Sequence, residues 1–282
     1  MALHTSSVAW VPILVFHRIV DDIPPDDRFR VCTTRRRFER QMQWFARLGW
    51  RTLSLEDAGA RLIRRERIPP RHFVITFDDG YEDTLTAAAP ILHDLGFTAT
   101  VFVVTGLIGQ RSSWDDGQPW EARLMSWDQL KVWLKMGFSI GSHTVSHVRL
   151  SQIPLDAARY ELTESRRSLE AQLGISVRTL CYPHGERSDA VCELAAEAGY
   201  DVACGFGDIG PQEHGRYTLA RIDSASWHPP MLTSLVRCHP WYFALTDSRV
   251  LRALRHVIRL VQRCLDRHQG MPSSISFKKL RA

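Results

Sequence analysis

Residues 73–104 read FVITFDDGYEDTLTAAAPILHDLGFTATVFVV, and the order of apolar and polar residues in this stretch decides the fold class. Residues 73–77 form a short apolar run of strand length. Residues 81–95 carry a helix that Gly96 stops, and residues 98–104 are β-branched and strand-like. Two strands joined by a crossing helix make a parallel pair. Outward from this unit the same alternation continues in both directions. Residues 11–16 fit a buried strand, and residues 21–30, with Asp-Asp and Pro-Pro, form a loop. Phe38, Met42, Phe45 and Leu48 recur at helical spacing before Gly49. Residues 111–121 are a polar loop containing Trp and Gly. Ser126 can cap a helix reaching Met136, and residues 138–140 make a strand. A long helix is expected over 155–173, ending at Gly174. Strands at 179–182, 202–204 and 217–222 and a helix at 189–198 complete the pattern. The chain is expected to be an α/β protein. Periodicity alone does not separate an open parallel sheet from a barrel.

Composition excludes several classes. Of 282 residues, 44% are apolar and 24% charged, which rules out a disordered chain, a collagen-like one and a long coiled coil. Lys plus Arg is 36 against 31 Asp plus Glu, a net charge of +5, and no nucleic-acid-binding module is present, so nucleic acid is not an expected partner. The six cysteines, at 32, 181, 192, 204, 238 and 264, make no C-x-x-C pair, and free thiols are expected. No basic region precedes the apolar stretch of MALHTSSVAWVPILVFHRI, and no run of 18 apolar residues occurs, so a cytoplasmic location is expected. Arg252, Arg255, Arg259, Arg263 and Arg267 share one face of a helix over 250–268, and Val250, Leu254, Val257, Ile258, Val261 and Leu265 line the other. This basic amphipathic helix either docks on the core with a solvated basic face or contacts an anionic inner-membrane surface. The expected organisation is a tail over 1–10, one catalytic domain over 11–249, and the helix with its tail over 250–282.

Two clusters carry chemistry. Asp78 and Asp79 follow a strand, where α/β active sites usually lie, and Gly80 permits a sharp turn. Adjacent side chains diverge, so one carboxylate can bind a metal while its neighbour faces a substrate; an Asp-Gly turn capping a helix is the plainer alternative. His143 and His147 are four residues apart, and on a helical turn two such imidazoles share a face and can reach one ion. Two surface histidines are the plainer reading of that pair. One carboxylate with two imidazoles makes a three-ligand set for zinc or another divalent ion, with positions left open. Such an ion acidifies water and polarises a carbonyl, and a second Asp beside it can take a proton. The constellation suits hydrolysis of an amide or ester.

With both clusters in place, the chain resembles the polysaccharide deacetylases of carbohydrate esterase family 4, which include the nodulation-type chitooligosaccharide deacetylases. Thr76 to Gly80 matches T-F-D-D-G, and His143, Thr144 and His147 match H-[ST]-x-x-H. PILHDLGFTATVFV and MSWDQLKVWLKMGFSIGSHT resemble the family's flanking segments, and the resemblance spans about residues 11–222. It implies a distorted, incomplete (β/α)7-type barrel. Asp78 would be the catalytic base, and Asp79, His143 and His147 the ligands of a divalent metal, zinc by default, with cobalt or nickel able to serve. The family's R-x-P-Y motif corresponds to LCYPHG at 180–185, where Cys181 stands for the Arg and His184 for the Tyr. Tyr182, Pro183 and His184 are therefore expected at the substrate, with the His184 backbone N–H donating to an oxyanion. Cys181, read as a packing residue, would leave Asp78 without a positive neighbour. No D-x-x-D-W and no L-L-x-H occurs, so the general acid is sought among His17, His228 and His184, in that order. Arg221 matches a basic position near the family's last strand and is read as structural, paired with a buried carboxylate. Among Trp114, Trp120 and Trp127, Trp114 is the candidate for stacking on a sugar ring, and Trp127 fits helix packing. The expected function is metal-dependent removal of an N-acetyl group from an amino sugar in an oligosaccharide, polysaccharide or lipid-linked glycan. Action on a non-sugar amide or an O-acetyl ester, and a catalytically degenerate glycan-binding protein, are the alternatives.

Overall fold

The computed structural model describes residues 11–25, 27, 29–112, 114, 122–205 and 215–224. The first strand, β1 (Ile13–Phe16), is followed by the short pair β2 (Arg18–Val20) and β3 (Cys32–Thr34). The Thr34 side chain caps α1 (Arg35–Arg47), whose buried face is Phe38, Gln41, Met42 and Phe45. Then come β4 (Arg51–Leu53), α2 (Leu55–Ile63) and β5 (His72–Phe77). A π-turn (Thr84–Ala88) leads into α3 (Ala89–Asp94), and β6 (Thr100–Val103) follows. The rest runs α4 (Trp127–Lys135), β7 (Ser139–Ser142), α5 (Leu155–Leu173), β8 (Thr179–Cys181), α6 (Asp189–Glu197) and β9 (Val202–Gly205). The last strand is β10 (Leu219–Ala220) and β11 (Ile222–Asp223), interrupted at Arg221 alone.

Among the described residues every strand pair is parallel. In the main sheet β5 takes β1 along one side, while β4 pairs with its residues 72–74 and β6 with 76–77. The order continues β6, β7, β8, β9 and β10, and β11 pairs with β1. Because β10 and β11 are two halves of one strand, that strand joins both ends of the sheet and closes it into a ring. The ring thus has seven positions, filled by β1, β5, β6, β7, β8, β9 and the split strand, and the expected distorted (β/α)7 barrel is observed.

Alternation along the strands sorts side chains into two cores. Val11, Ile13, Val74, Phe102, Cys181, Val202, Cys204 and Leu219 fill the ring. Leu14, Phe16, Phe73, Ile75 and Phe77 pack outward against Phe38, Phe45 and Trp133 of the helices. Aromatic pairs such as Phe45–Phe73, 4.6 Å apart and stacked, hold the helices to the sheet. Helix α2 lies across the N-terminal end of the ring, with Leu55 and Ala58 in the inner core. The Leu55 N–H donates to Thr100 Oγ1 at 3.2 Å, at the start of β6. Gly59 abuts the first residue of β9: a Cβ there would stand 2.8 Å from Val202 Cγ1.

The expected strands and helices are present within a few residues, while β2, β3, β4 and α2 are additional to them. The helix expected over 81–95 begins instead as a π-turn, in which the Ala89 N–H reaches back five residues to the Thr84 carbonyl. Pro90 has no N–H to give, and its ring would press on the carbonyl four residues earlier, so the widened turn accommodates it. Among the described residues no helix is long and apolar enough to cross a membrane. The amphipathic segment 250–268 lies outside the described residues.

The tight approach of α2 yields a test. Gly59→Leu forces a side chain into Val202 and is expected to cost about 1–3 kcal/mol through overpacking. A lowered urea midpoint with an unchanged m-value would show it.

Candidate active site and metal centre

The site grows from β5. Val74 and Thr76 face into the ring, and the same alternation turns Asp78 inward. Asp79 (φ 70°) and Gly80 (φ 78°) then adopt successive left-handed conformations, and the chain doubles back. Only glycine fits at position 80, because a Cβ there would lie 2.8 Å from Val103 Cγ1. Asp79 has a Cβ, but Asp is among the non-glycine residues that tolerate a left-handed backbone best. That conformation separates the two carboxylates, one held inside the ring and one over its rim.

Asp79 meets both histidines. Its Oδ1 lies 3.3 Å from His143 Nε2 and 3.3 Å from His147 Nε2, with all three side chains buried. His143 leaves the end of β7 with its Nδ1 2.8 Å from the Cys181 carbonyl, which can only accept, so Nδ1 carries the proton. The histidines do not lie on a helical turn, as their spacing suggested. The chain passes through left-handed Thr144 (φ 69°) and left-handed His147 (φ 61°), and Thr144 Oγ1 accepts from the His147 N–H at 3.1 Å. This looped turn brings the rings to 4.9 Å.

The three donors fit a divalent cation. With Nδ1 protonated, a neutral His143 has its Nε2 lone pair available beside the Asp79 carboxylate, where a positive ion would draw both. The ligand atoms of Asp79, His143 and His147 lie within 4.8 Å of one another. Asp78, His143 and Cys181 satisfy the same distance criterion, but a guanidinium stands against two of them. Arg221 Nη1 donates to Asp78 Oδ1 at 2.6 Å, and Nη2 donates to Oδ2 at 2.7 Å and to Cys181 Sγ at 3.0 Å. A cation there would face an enclosed positive charge, so of the two sets the Asp79 one is better suited to hold a metal ion.

Arg221 corrects an expectation. Cys181 does not leave Asp78 without a positive neighbour, because the residue that splits the closing strand supplies one. The buried carboxylate expected to partner Arg221 is Asp78 itself. Burial alone would push the Asp78 carboxyl up, but the paired guanidinium outweighs it and holds the group below its ordinary value. Cys181 is fully buried, and burial pushes its thiol well up, so it stays a neutral neighbour. No local pattern could have revealed the pair, since 143 residues separate its members.

The other expected residues fall in different places. His17 follows β1 and puts Nε2 3.7 Å from Asp78 Oδ2, with 20% of its side chain exposed. His184 sits left-handed (φ 58°) in the turn after β8, its ring 4.7 Å from that of His147. Partial burial and nearby His147 and Arg149 lower it to about 4, so its imidazole is neutral at pH 7. Tyr182 and Pro183 are buried, and the Tyr182 ring packs in the outer core, which corrects the expectation that this side chain faces a substrate. The Tyr182 hydroxyl lies 3.6 Å from Cys192 Sγ. Trp114 stands over His147, ring centroids 4.4 Å apart, and packs with Tyr81, Ala122 and Leu124. Trp127 opens α4 and packs on the outer core. Trp120 and His228 lie outside the described residues.

Comparison with known proteins agrees with this geometry. Residues 65–203 match the polysaccharide deacetylase family. YxkH of Bacillus subtilis, named for the same family, is 26% identical over 221 residues, 78% of this chain and 73% of its own. A poly-β-1,6-N-acetyl-D-glucosamine N-deacetylase of Staphylococcus aureus is 25% identical over 171 residues, 57% of each chain. The Streptococcus pyogenes deacetylase PplD, solved in complex with acetate, has a TM-score of 0.70 at 27% identity, covering 80% of this chain and 97% of its own. IcaB from Ammonifex degensii shares the fold, with a TM-score of 0.66 at 21% identity over 81% of this chain and 96% of its own.

The ion pair is open to test by Arg221→Met, which leaves the Asp78 charge buried and unpaired. The expected loss at pH 7 is about 3–5 kcal/mol, read from urea unfolding. Asp78 titrates lower in the folded state than unfolded, so pairing stabilises above the unfolded carboxylate pKa of about 3.9 and fades as pH falls through the folded value. Without Arg221, burial raises the Asp78 carboxyl instead, so the variant regains stability as its carboxyl takes up a proton, and the gap between wild type and variant should narrow steadily as pH falls. Equal midpoints at pH 7 would contradict the pairing.

Proposed function

The chain carries a polysaccharide deacetylase domain, and we propose that it is a metal-dependent N-deacetylase of amino sugars. It would cleave the acetamide of an N-acetylated sugar within an oligosaccharide, polysaccharide or lipid-linked glycan, releasing acetate and a free amine. One observation carries the reading: a carboxylate and two imidazoles converge at Asp79, beside a second carboxylate that Arg221 holds charged. The Staphylococcus aureus relatives, named for poly-β-1,6-N-acetyl-D-glucosamine, support a polymer of N-acetylglucosamine as the substrate class.

Asp79, His143 and His147 would hold the ion, zinc by their donor chemistry, with cobalt or nickel able to replace it. When bound, such an ion supplies Lewis acidity to the acetamide carbonyl and lowers the pKa of water. The chain's own groups do the rest. Asp78 takes a proton from the attacking water; Arg221 keeps the carboxylate ionised and fixes its orientation through two hydrogen bonds. His17, 3.7 Å from Asp78 and partly open to solvent, delivers a proton to the leaving amine. His184 does not serve as that acid, because an imidazole lowered to about 4 has no proton to give at pH 7. Its backbone N–H instead donates to the oxyanion. Trp114 forms a wall beside His147 against which the apolar face of a sugar ring can pack.

The test is acetate release from N-acetylglucosamine oligomers by metal-stripped protein, with and without added zinc or cobalt. Release is expected only with metal. Asp78→Asn and His17→Asn should each lower kcat by about 10²–10⁴-fold. Both variants should still bind cobalt. Tight metal binding without acetate release would turn the search to O-acetyl esters and non-sugar amides. Absence of both would select a glycan-binding protein with a degenerate site.

A further inference from the structure

The loop between the two histidines is held by a residue that no motif contains. Glu161, on α5, is a buried carboxylate, 8% exposed. Its Oε2 accepts from the Val145 N–H at 2.8 Å and the Ser146 N–H at 2.9 Å, and its Oε1 accepts from Ser146 Oγ at 2.5 Å. All three donors lie between His143 and His147. On either side of them the backbone is left-handed without glycine, at Thr144 and at His147. A chain adopts two such residues in one short turn only when its surroundings over-determine it.

The surroundings here are a two-sided clamp. The Thr144 and Val145 carbonyls accept from the Thr105 and Gly106 N–H groups at 3.1 and 2.8 Å. The Val145 and Ser146 N–H groups on the opposite side of the turn have Glu161. One turn further along α5, Ser165 bonds to Ser142 at 2.6 Å, so the same helix face grips both the end of β7 and the loop beyond it. A leucine would satisfy α5 as a packing element. A buried carboxylate is costly in that place unless it is bonded, and both Glu161 oxygens bond to this loop.

We infer that Glu161 is a positioning residue for the metal centre: it holds the 144–147 turn so that His147 Nε2 converges with His143 Nε2 on Asp79. The inference rests on the metal-site reading, and the experiment separates the two. Cobalt affinity and the visible d–d absorption band of the cobalt-loaded full chain are measured for wild type, Glu161→Gln and Leu169→Ala. Leu169 is a fully buried residue of α5 and serves as a control for general loosening of the helix. Glu161→Gln keeps the size but removes the charge, so the two backbone N–H groups meet a weaker, neutral acceptor and the Ser146 hydroxyl must reverse to accept from the amide. It is expected to weaken cobalt binding about 10–100-fold, as loss of outer partners of metal ligands does, and to change the band. Leu169→Ala should lower the melting temperature while leaving cobalt affinity and band unchanged. Should Glu161→Gln fail to fold, Ser146→Ala removes one of the three bonds from an exposed position and should weaken cobalt binding several-fold, on the order of the lower end of that range. Cobalt binding by these variants as tight as wild type, with the same band, would overturn the positioning role. A wild-type chain that binds no cobalt would overturn the metal site and this inference with it.

Discussion

Arg221 leaves the closing strand between its two paired halves, and its guanidinium grips both oxygens of Asp78, at 2.6 and 2.7 Å, inside the ring. The halves on either side bond to β9 and to β1, so the residue that joins the two ends of the sheet also sets the charge of the carboxylate at its centre. A buried ion pair of this kind is no better for stability than well-packed apolar groups, but removing one member strands the other. It therefore makes closure and charge state interdependent. Thr76 Oγ1, 3.2 Å from Arg221 Nη1, Cys181 Sγ and the Phe102 ring also stand against the guanidinium. The small Cys181 leaves room for it. A long cation at that position would compete for the space beside Asp78 that Arg221 fills.

Around this fixed pair, the chain concentrates conformational strain at the C-terminal end of the strands. Asp79, Thr144, His147 and His184 are all left-handed without being glycine; the others among the described residues are Arg30, Arg65 and Arg71. Each site residue is held by the scaffold rather than by its own preference. Val103 crowds position 80, Glu161 and the 105–106 amides clamp the histidine loop, and the Gly185 N–H donates to the Tyr182 carbonyl to close the turn at His184. At the opposite end Leu55 and Ala58 of α2 join the inner core. Rigidity below and strain above are two results of the same packing.

Much of this was legible beforehand, and what escaped has identifiable causes. The strands β1, β5 and β6 are buried on both faces, which produces unbroken apolar runs that can be read directly. The stretches β2, β3 and β4 are three residues each, too short for any period to register. The π-turn before Pro90 is a local answer to a missing N–H, visible in retrospect from the proline alone. The histidine spacing suggests two imidazoles sharing one face of a helical turn; they do converge, on Asp79, but from a left-handed loop. A helix and a left-handed loop can both bring residues i and i+4 together, and spacing does not tell them apart. Tyr182 was misplaced because a motif position does not say which way a side chain points; alternation along β8 settles it.

The amino-acid sequence by itself determined the α/β class, the ring's main strands, and the two clusters that supply a carboxylate pair and an imidazole pair. These follow from local causes: side-chain period, turn chemistry and the donor types of a few neighbouring residues. Tertiary structure alone decided that Arg221 is the cation at Asp78, that His17 stands beside it, and that Glu161 holds the loop carrying His147. Arg221 and Asp78 are 143 positions apart and meet only when the last strand closes the ring. Contact between distant residues is set by how the whole sheet curves and seals, and no window along the chain contains that information.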